Sequence, residues 1–341
     1  MMRSKTILLT GLLAIIAVAV GLIDAFYSKA DKRIGMPIID MKQMIGVNSI
    51  SYIRGETKVE LVMDSENQWR MGSISGFPAD AGKVSRLVDD LTRGTVQILV
   101  AEARNQNDDF GFKIGGEIIL KRGGQVVSTV MLGARRPQGG QFLAFNGDNK
   151  VYLTDHDLER AATEDYWELK RLINVPAEEI KSVAFKPAPS SSKKPVVLTR
   201  DKSGETIKVA SVSENIQDVG RVTSQAGLLR NLEYTKRTTT GVPEFAAAMR
   251  NPDEAMVTLF DGRKYSVKVG QTSGENQKYF LSVKATPPTG TTAVTADAKL
   301  DEWINQVMGQ YCFEVSKETA SRFQLGLADV TTKKSSKAAK I

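Results

Sequence analysis

The sequence predicts an α+β protein: an N-terminal transmembrane helix, then two tandem, similar α+β domains built of antiparallel hairpins with a packed helix. Three observations lead there. An apolar run, Ile7–Ile23, follows Arg3 and Lys5. Short alternating apolar segments, separated by Gly, Asn and Asp turns, fill most of the remaining chain, as antiparallel hairpins do. Several of these segments return in the same order at a nearly constant distance.

The apolar run comes first. At helical rise it reaches roughly 25 Å, the lower limit for a hydrocarbon core of about 30 Å. Phe26 and Tyr27 suit an interface beyond it, and Arg3 and Lys5 favour a cytoplasmic tail. The competing reading is a cleaved signal peptide, whose apolar core is usually about 7–15 residues. Ser28-Lys29-Ala30 and Ala19-Val20-Gly21 offer small residues for cleavage. On either reading the body lies outside the cytoplasm. The expected organisation is a tail over 1–6, an anchor over 7–27 and a stalk over 28–46. Repeats over 47–175 and 176–315 follow, then a C-terminal segment over 316–341, disordered and basic from about 331.

The totals exclude several classes. Of the 341 residues, 41% are apolar and 25% charged, an ordinary globular balance. The formal charge of +7 sits at the ends. Residues 1–33 carry +3 and residues 331–341 carry +4, which leaves the body neutral. A nucleic-acid groove would need clustered Lys and Arg on the folded part, so nucleic acid is discounted. One cysteine, Cys312, excludes an internal disulfide, and one histidine, His156, excludes a Cys/His zinc cluster. The inventory predicts no metal site and no cofactor.

Along the body, Ser49–Tyr52 and Lys58–Met63 alternate around Gly55-Glu56, and Trp69-Arg70-Met71 follows a polar turn. Asp80 is placed to cap a helix whose Val84, Leu87, Val88 and Leu91 share one face. Val96–Val100 reads as strand or helix extension. Glu117–Lys121 with Val126–Leu132, and Gln141–Phe145 with Lys150–Leu153, read as hairpins. A helix is expected from Asp155 to about Arg160. The pattern then restarts at Glu179–Phe185, with strands at Val196–Arg200 and Glu205–Val209. Asp218-Val219-Gly220-Arg221-Val222 repeats Asp80-Ala81-Gly82-Lys83-Val84, and Val267-Lys268-Val269-Gly270 repeats Val130-Met131-Leu132-Gly133. Tyr279-Phe280-Leu281 echoes Phe142-Leu143-Ala144, and Trp303 echoes Trp167; the offsets are 138, 137, 137 and 136. Ordered matches at one offset point to duplication.

Few residues carry chemistry. His156 lies between Asp155 and Asp157, either of which could orient it as a base. Its simpler place is the exposed first turn of a helix capped by Asp155. Gly133-Ala134-Arg135-Arg136-Pro137-Gln138-Gly139-Gly140 is the most suggestive loop. Arg135 and Arg136 could clamp a carboxylate or phosphate, although the second copy lacks both and a solvated hairpin loop explains them too. Asp108-Asp109 and Glu178-Glu179 have no partner at readable spacing, so loops or caps suit them better than metal or acid–base roles. Trp69, Trp167 and Trp303 suit cores, and Cys312 an inert buried thiol. No catalytic residue is assigned.

These residues together resemble the bacterial family of domain of unknown function 4340. The resemblance rests on the N-terminal run, the strand pair ending at Trp69, and Pro78-Ala79-Asp80 leading into the Val84/Leu87/Leu91 helix. Asp109-Phe110-Gly111-Phe112 before a hairpin adds to it. So do Val151-Tyr152-Leu153, Asp165-Tyr166-Trp167, Leu172 and Ile180-Lys181-Ser182-Val183. It spans about residues 45–310. Phe112 stands where the family commonly has Leu, and Lys113–Gly116 where it usually has a proline-containing linker. The family has no established catalytic residues to carry over. Its members are often encoded beside ABC-type transport components resembling auxiliary gliding-motility exporters. The resemblance therefore implies a membrane-anchored, extracytoplasmic accessory protein, binding or scaffolding a transport or envelope complex. It would be single-pass in the inner membrane, attached through Ile7–Ile23, with its N-terminus cytoplasmic and its body periplasmic. The alternatives are a periplasmic enzyme acting on envelope polymers and a carbohydrate- or lipid-binding module.

Overall fold

The computed structural model describes residues 31–74, 76–104, 108–210, 217–288 and 296–332. The chain divides into two compact units, Met1–Glu168 and Leu169–Ile341.

The first unit holds eight strands: β1 Ser49–Arg54, β2 Thr57–Met63, β3 Trp69–Met71, β4 Val96–Ala101, β5 Gly116–Arg122, β6 Gln125–Arg135, β7 Gln141–Phe145 and β8 Val151–Thr154. They form one antiparallel sheet in the order β3-β2-β1-β5-β6-β7-β8-β4. Period-two alternation fixes the buried face. Ile50 and Tyr52 of β1, Ile118 and Leu120 of β5, and Val130 and Leu132 of β6 are at most 1% exposed. The helix Ala81–Arg93 contributes Val84, Leu87 and Leu91, all fully buried, each stabilising by about 1.5–3 kcal/mol. Asp80 starts that helix by accepting from the amides of Gly82 and Lys83. The described part of the expected stalk packs on this unit, with Ile38 and Ile39 buried and the Ile38 amide donating to the Gly94 carbonyl.

The second unit contains β9 Arg171–Ile173, β10 Ile180–Lys186, β11 Val196–Thr199, β12 Lys208–Val209, β13 Leu232–Glu233, β14 Lys236–Thr239, β15 Asp253–Leu259, β16 Lys264–Gln271, β17 Tyr279–Thr286 and β18 Tyr311–Val315. Its main sheet runs β12-β11-β10-β15-β16-β17-β18-β14, while β9 and β13 pair separately. Strand for strand, this is the order of the first sheet. Both units also place a helix after the third strand, capped by Asp80 in one and Asp218 in the other.

The duplicated glycine has a physical reason. A Cβ on Gly133 would lie 2.5 Å from the Phe110 carbonyl oxygen, and one on Gly270 would lie 2.2 Å from that of Ala248. In each unit the connection between the fourth and fifth strands crosses the sheet at this glycine and leaves no room for a side chain. The same crossings bring Phe110 edge-on to Phe142 at 5.2 Å and Phe245 edge-on to Phe280 at 5.8 Å.

Four expectations change. Leu132 pairs with Leu143 and Val269 with Leu281, so Phe142 corresponds to Phe280, one residue beyond the match read from the sequence. Trp303 is not the counterpart of Trp167, because it sits in the helix Ala296–Gln310 before β18 whereas Trp167 follows β8. No helix forms from Asp155 to Arg160, since the Asp155 carboxylate is taken by Thr95 rather than by the following amides. The fourth change concerns the membrane helix. Among the described residues no helix is long and apolar enough to cross a membrane. The longest, Ala296–Gln310, spans about 22 Å at helical rise, short of a core of about 30 Å. The anchor expected over 7–27 lies outside the described residues, as does the basic tail expected from about 331 except for its first two residues, of which Thr331 bridges to Gln217. The transmembrane part of the fold class, attachment to a bilayer through Ile7–Ile23 and the single-pass inner-membrane location are therefore withdrawn.

Candidate functional site

Past β8, residues 155–163 cross one end of the first sheet without forming a helix. Buried polar groups hold them there. Gln141 Oε1 accepts from the Leu158 amide at 2.9 Å, while Gln141 Nε2 donates to the Gly133 carbonyl at 3.0 Å. The Tyr52 hydroxyl accepts from the Arg160 amide at 2.8 Å, and Trp167 Nε1 donates to the Ala161 carbonyl at 3.0 Å. Arg160 itself pairs with Asp90 on the helix Ala81–Arg93. Burial pushes the Tyr52 hydroxyl pKa up, so that oxygen stays a neutral acceptor here.

This crossing carries Glu159 between two guanidiniums. Arg54 reaches it from the end of β1, and Arg135 from the end of β6. Arg135 Nε donates to Glu159 Oε2 at 2.7 Å and Arg135 Nη1 to Asp157 Oδ2 at 2.8 Å. Asp157, and then Glu159, raise the Arg135 pKa above its already high ordinary value. Beside this frame opens a cleft of about 440 Å³, lined by Arg54, Arg86, Arg135 and Arg160, with Tyr166 in its wall. Against these four arginines stand Asp90, Asp157 and Glu159, which leaves one positive charge in excess. Arg86 carries it: Nε donates to the Gly82 carbonyl one helical turn back, and no carboxylate pairs with it among the described residues. Such a site can hold an anion.

The second unit serves as an internal control. Register pairs Tyr52 with Ile118 and Ile118 with Val130, and likewise Phe185 with Ala255 and Ala255 with Val267, so Phe185 replaces Tyr52 and Pro187 replaces Arg54. Ser224 stands where Arg86 does relative to the helix cap, and Thr272 where Arg135 does relative to the duplicated glycine. The same strand order thus forms without the hydroxyl or these three charges, and the sheet does not require them.

Of the two arginines picked out in the sequence, the structure brings Arg135 into the cleft but not Arg136. Arg136 sits in a tight turn, its amide donating to the Gly140 carbonyl at 3.0 Å, with no ion pair among the described residues. Arg54, Arg86 and Arg160 escaped notice because they lie far apart in sequence. The one local signal is at Arg160, in the charged run Asp157-Leu158-Glu159-Arg160 after a strand.

The other candidates are structural. His156 Nδ1 lies 2.8 Å from Asp155 Oδ1, on a carboxylate that also binds the amide and hydroxyl of Thr95. Asp108 closes its own loop by accepting from the amides of Phe112 and Lys113. Glu179 faces Arg263 at 3.6 Å, Trp167 is fully buried, and burial pushes the Cys312 thiol pKa up. Among the described residues no group of three His, Cys, Asp or Glu side chains could hold a metal ion.

Comparison with known families finds one match: the family described as domain of unknown function (DUF4340), over residues 69–240, half of the chain. No curated protein and no solved structure matches the chain.

Proposed function

The chain belongs to the DUF4340 family, and from that premise we propose that it is a non-catalytic accessory protein that binds a partner through the arginine-lined cleft of its first unit. One observation carries this reading: the cleft charges Arg54, Arg86 and Arg135 are absent from the equivalent positions of a second unit with the same strand order. The strand order does not need these charges, and a single unbalanced guanidinium suits recognition. Asp157 and Glu159, the carboxylates beside the cleft, both accept from Arg135. That arrangement favours binding over catalysis. The basic-flanked apolar run Ile7–Ile23, read as an export sequence, supports work outside the cytoplasm. The family resemblance supports an ABC-type transport component as the partner.

Affinity purification of the tagged protein from cell envelopes, with co-purifying chains identified by mass, tests the proposal. A transport subunit recovered in near-stoichiometric amount with wild type, and lost with Arg86→Gln, is expected. Recovery of no such subunit overturns it.

A further inference from the structure

We propose that the cleft binds a single carboxylate of a partner protein, an acidic side chain or a chain end, and that Arg86 is the residue that holds it. This rests on the accessory reading above and names the chemistry of the same site. Three observations converge. The Arg86 guanidinium, paired with no carboxylate among the described residues, calls for an anion, and the Tyr166 ring beside it suits the methylenes of an acidic residue, which a free phosphate lacks. Arg86 anchors only its Nε, to Gly82, so both terminal nitrogens present a planar fork, the geometry that meets a carboxylate with two parallel hydrogen bonds. Glu159 already shows the frame taking a carboxylate, one oxygen on Arg54 and the other on Arg135.

The neighbouring groups set the approach. Tyr166 packs edge-on against Trp167 at 5.1 Å, with Lys83 Nζ 4.8 Å from its ring centre. Its ring gives an apolar wall for the aliphatic part of an acidic residue. Arg54 and Arg135 are tied to Glu159 and act as positioning residues that keep Glu159 off Arg86. The space exceeds one side chain, so a short stretch of partner chain fits beside the ring.

The test uses the isolated full chain, labelled with ¹⁵N and followed at its arginine Nε–Hε resonances. It is titrated with sodium acetate and, separately, with sodium phosphate at constant ionic strength. Acetate is expected to give a saturable shift of the Arg86 resonance at lower concentration than phosphate. Arg86→Gln should weaken acetate binding by about tenfold or more, the equivalent of losing a charge-assisted contact. Arg86→Lys should weaken it by less, and Arg136→Ala should leave it unchanged. An Arg86 signal that does not saturate, acetate binding that survives Arg86→Gln, or phosphate binding more tightly than acetate each overturns the assignment. The two proposals fail separately. Acetate binding at Arg86 with no transport subunit recovered sinks the accessory reading alone. A subunit still recovered with Arg86→Gln sinks this one.

Discussion

Gln141 and Leu158 are joined by a buried hydrogen bond, the Leu158 amide donating to Gln141 Oε1 at 2.9 Å, and both residues are at most 1% exposed. The other end of the same amide holds the Gly133 carbonyl. One side chain thus ties the segment carrying Asp157 and Glu159 to the end of β6, where Arg135 starts. Gln141→Ala leaves the Leu158 amide buried without this acceptor. The expected loss is about 1–3 kcal/mol, the usual cost of an orphaned buried group. Urea midpoints measure it. A change within about 0.5 kcal/mol, the range of neutral surface substitutions, contradicts the tie.

The duplicated glycines make a paired prediction. Gly133→Ala forces a Cβ against the Phe110 carbonyl, and Gly270→Ala forces one against the Ala248 carbonyl. Both obstacles are backbone and cannot swing aside. Each variant should lose about 1–3 kcal/mol or more, as overpacked sites do. Gly55, with open space around its Cβ position, tests a different cause. Its φ of 57° makes any cost of Gly55→Ala one of backbone conformation. Full stability in Gly133→Ala or Gly270→Ala refutes the crossing.

Asp155 gives a pH dependence. Burial works to raise its pKa, but the Thr95 amide, the His156 ring and the Thr95 hydroxyl outweigh it and hold the pKa at about 2, below the ordinary 3.8. A folded-state pKa below the unfolded one means the unfolded chain binds the proton first. The contribution is therefore fully present well above pH 3.8 and fades as pH falls from there through about 2. Wild type and Asp155→Asn should differ most in urea midpoint at pH 6 and converge toward about pH 2. A gap that does not shrink over this range contradicts the assignment.

Asp155 also marks where sequence reasoning ran out. An aspartate after a strand and before a polar run reads as a helix cap, and Asp80 and Asp218 are such caps. What diverts Asp155 is Thr95, sixty residues earlier, brought beside it by the β4–β8 pairing. The hairpins were legible because their alternation is local: Ile118 and Leu120 are buried while Glu117 and Ile119 are partly exposed. The duplication was legible through the glycines and the caps. It slipped by one residue at Phe142, where only ladder register distinguishes Tyr279 from Phe280. The cleft was legible at Arg135 alone, since Arg54, Arg86 and Arg160 meet only through tertiary structure.

Arg136 and Arg135 should separate on substitution. Arg136→Ala removes an exposed guanidinium with no ion pair among the described residues, so stability should stay within about 0.5 kcal/mol. Arg135→Ala removes two carboxylate contacts, but the pair is half exposed and screening keeps the stability cost small, under about 1 kcal/mol. The expected difference lies in binding: Arg135→Ala weakens acetate uptake in the titration described above and Arg136→Ala does not. Equal effects contradict the placement of Arg136 outside the cleft.

Glu159→Gln isolates the charge balance. The substitution keeps the shape of the side chain and one carbonyl acceptor but removes the negative charge between Arg54 and Arg135. Both arginines are more than 40% exposed, so stability should change by less than about 1 kcal/mol. The excess in the cleft then rises by one positive charge. A dianion gains more from that rise than a monoanion does, because the interaction scales with the product of the charges. Phosphate should therefore tighten more than acetate, and its disadvantage in the wild-type cleft should shrink or reverse. The same acetate and phosphate titrations on Glu159→Gln measure it. A variant in which phosphate tightens no more than acetate rejects the placement of Glu159 in the charge frame of the cleft.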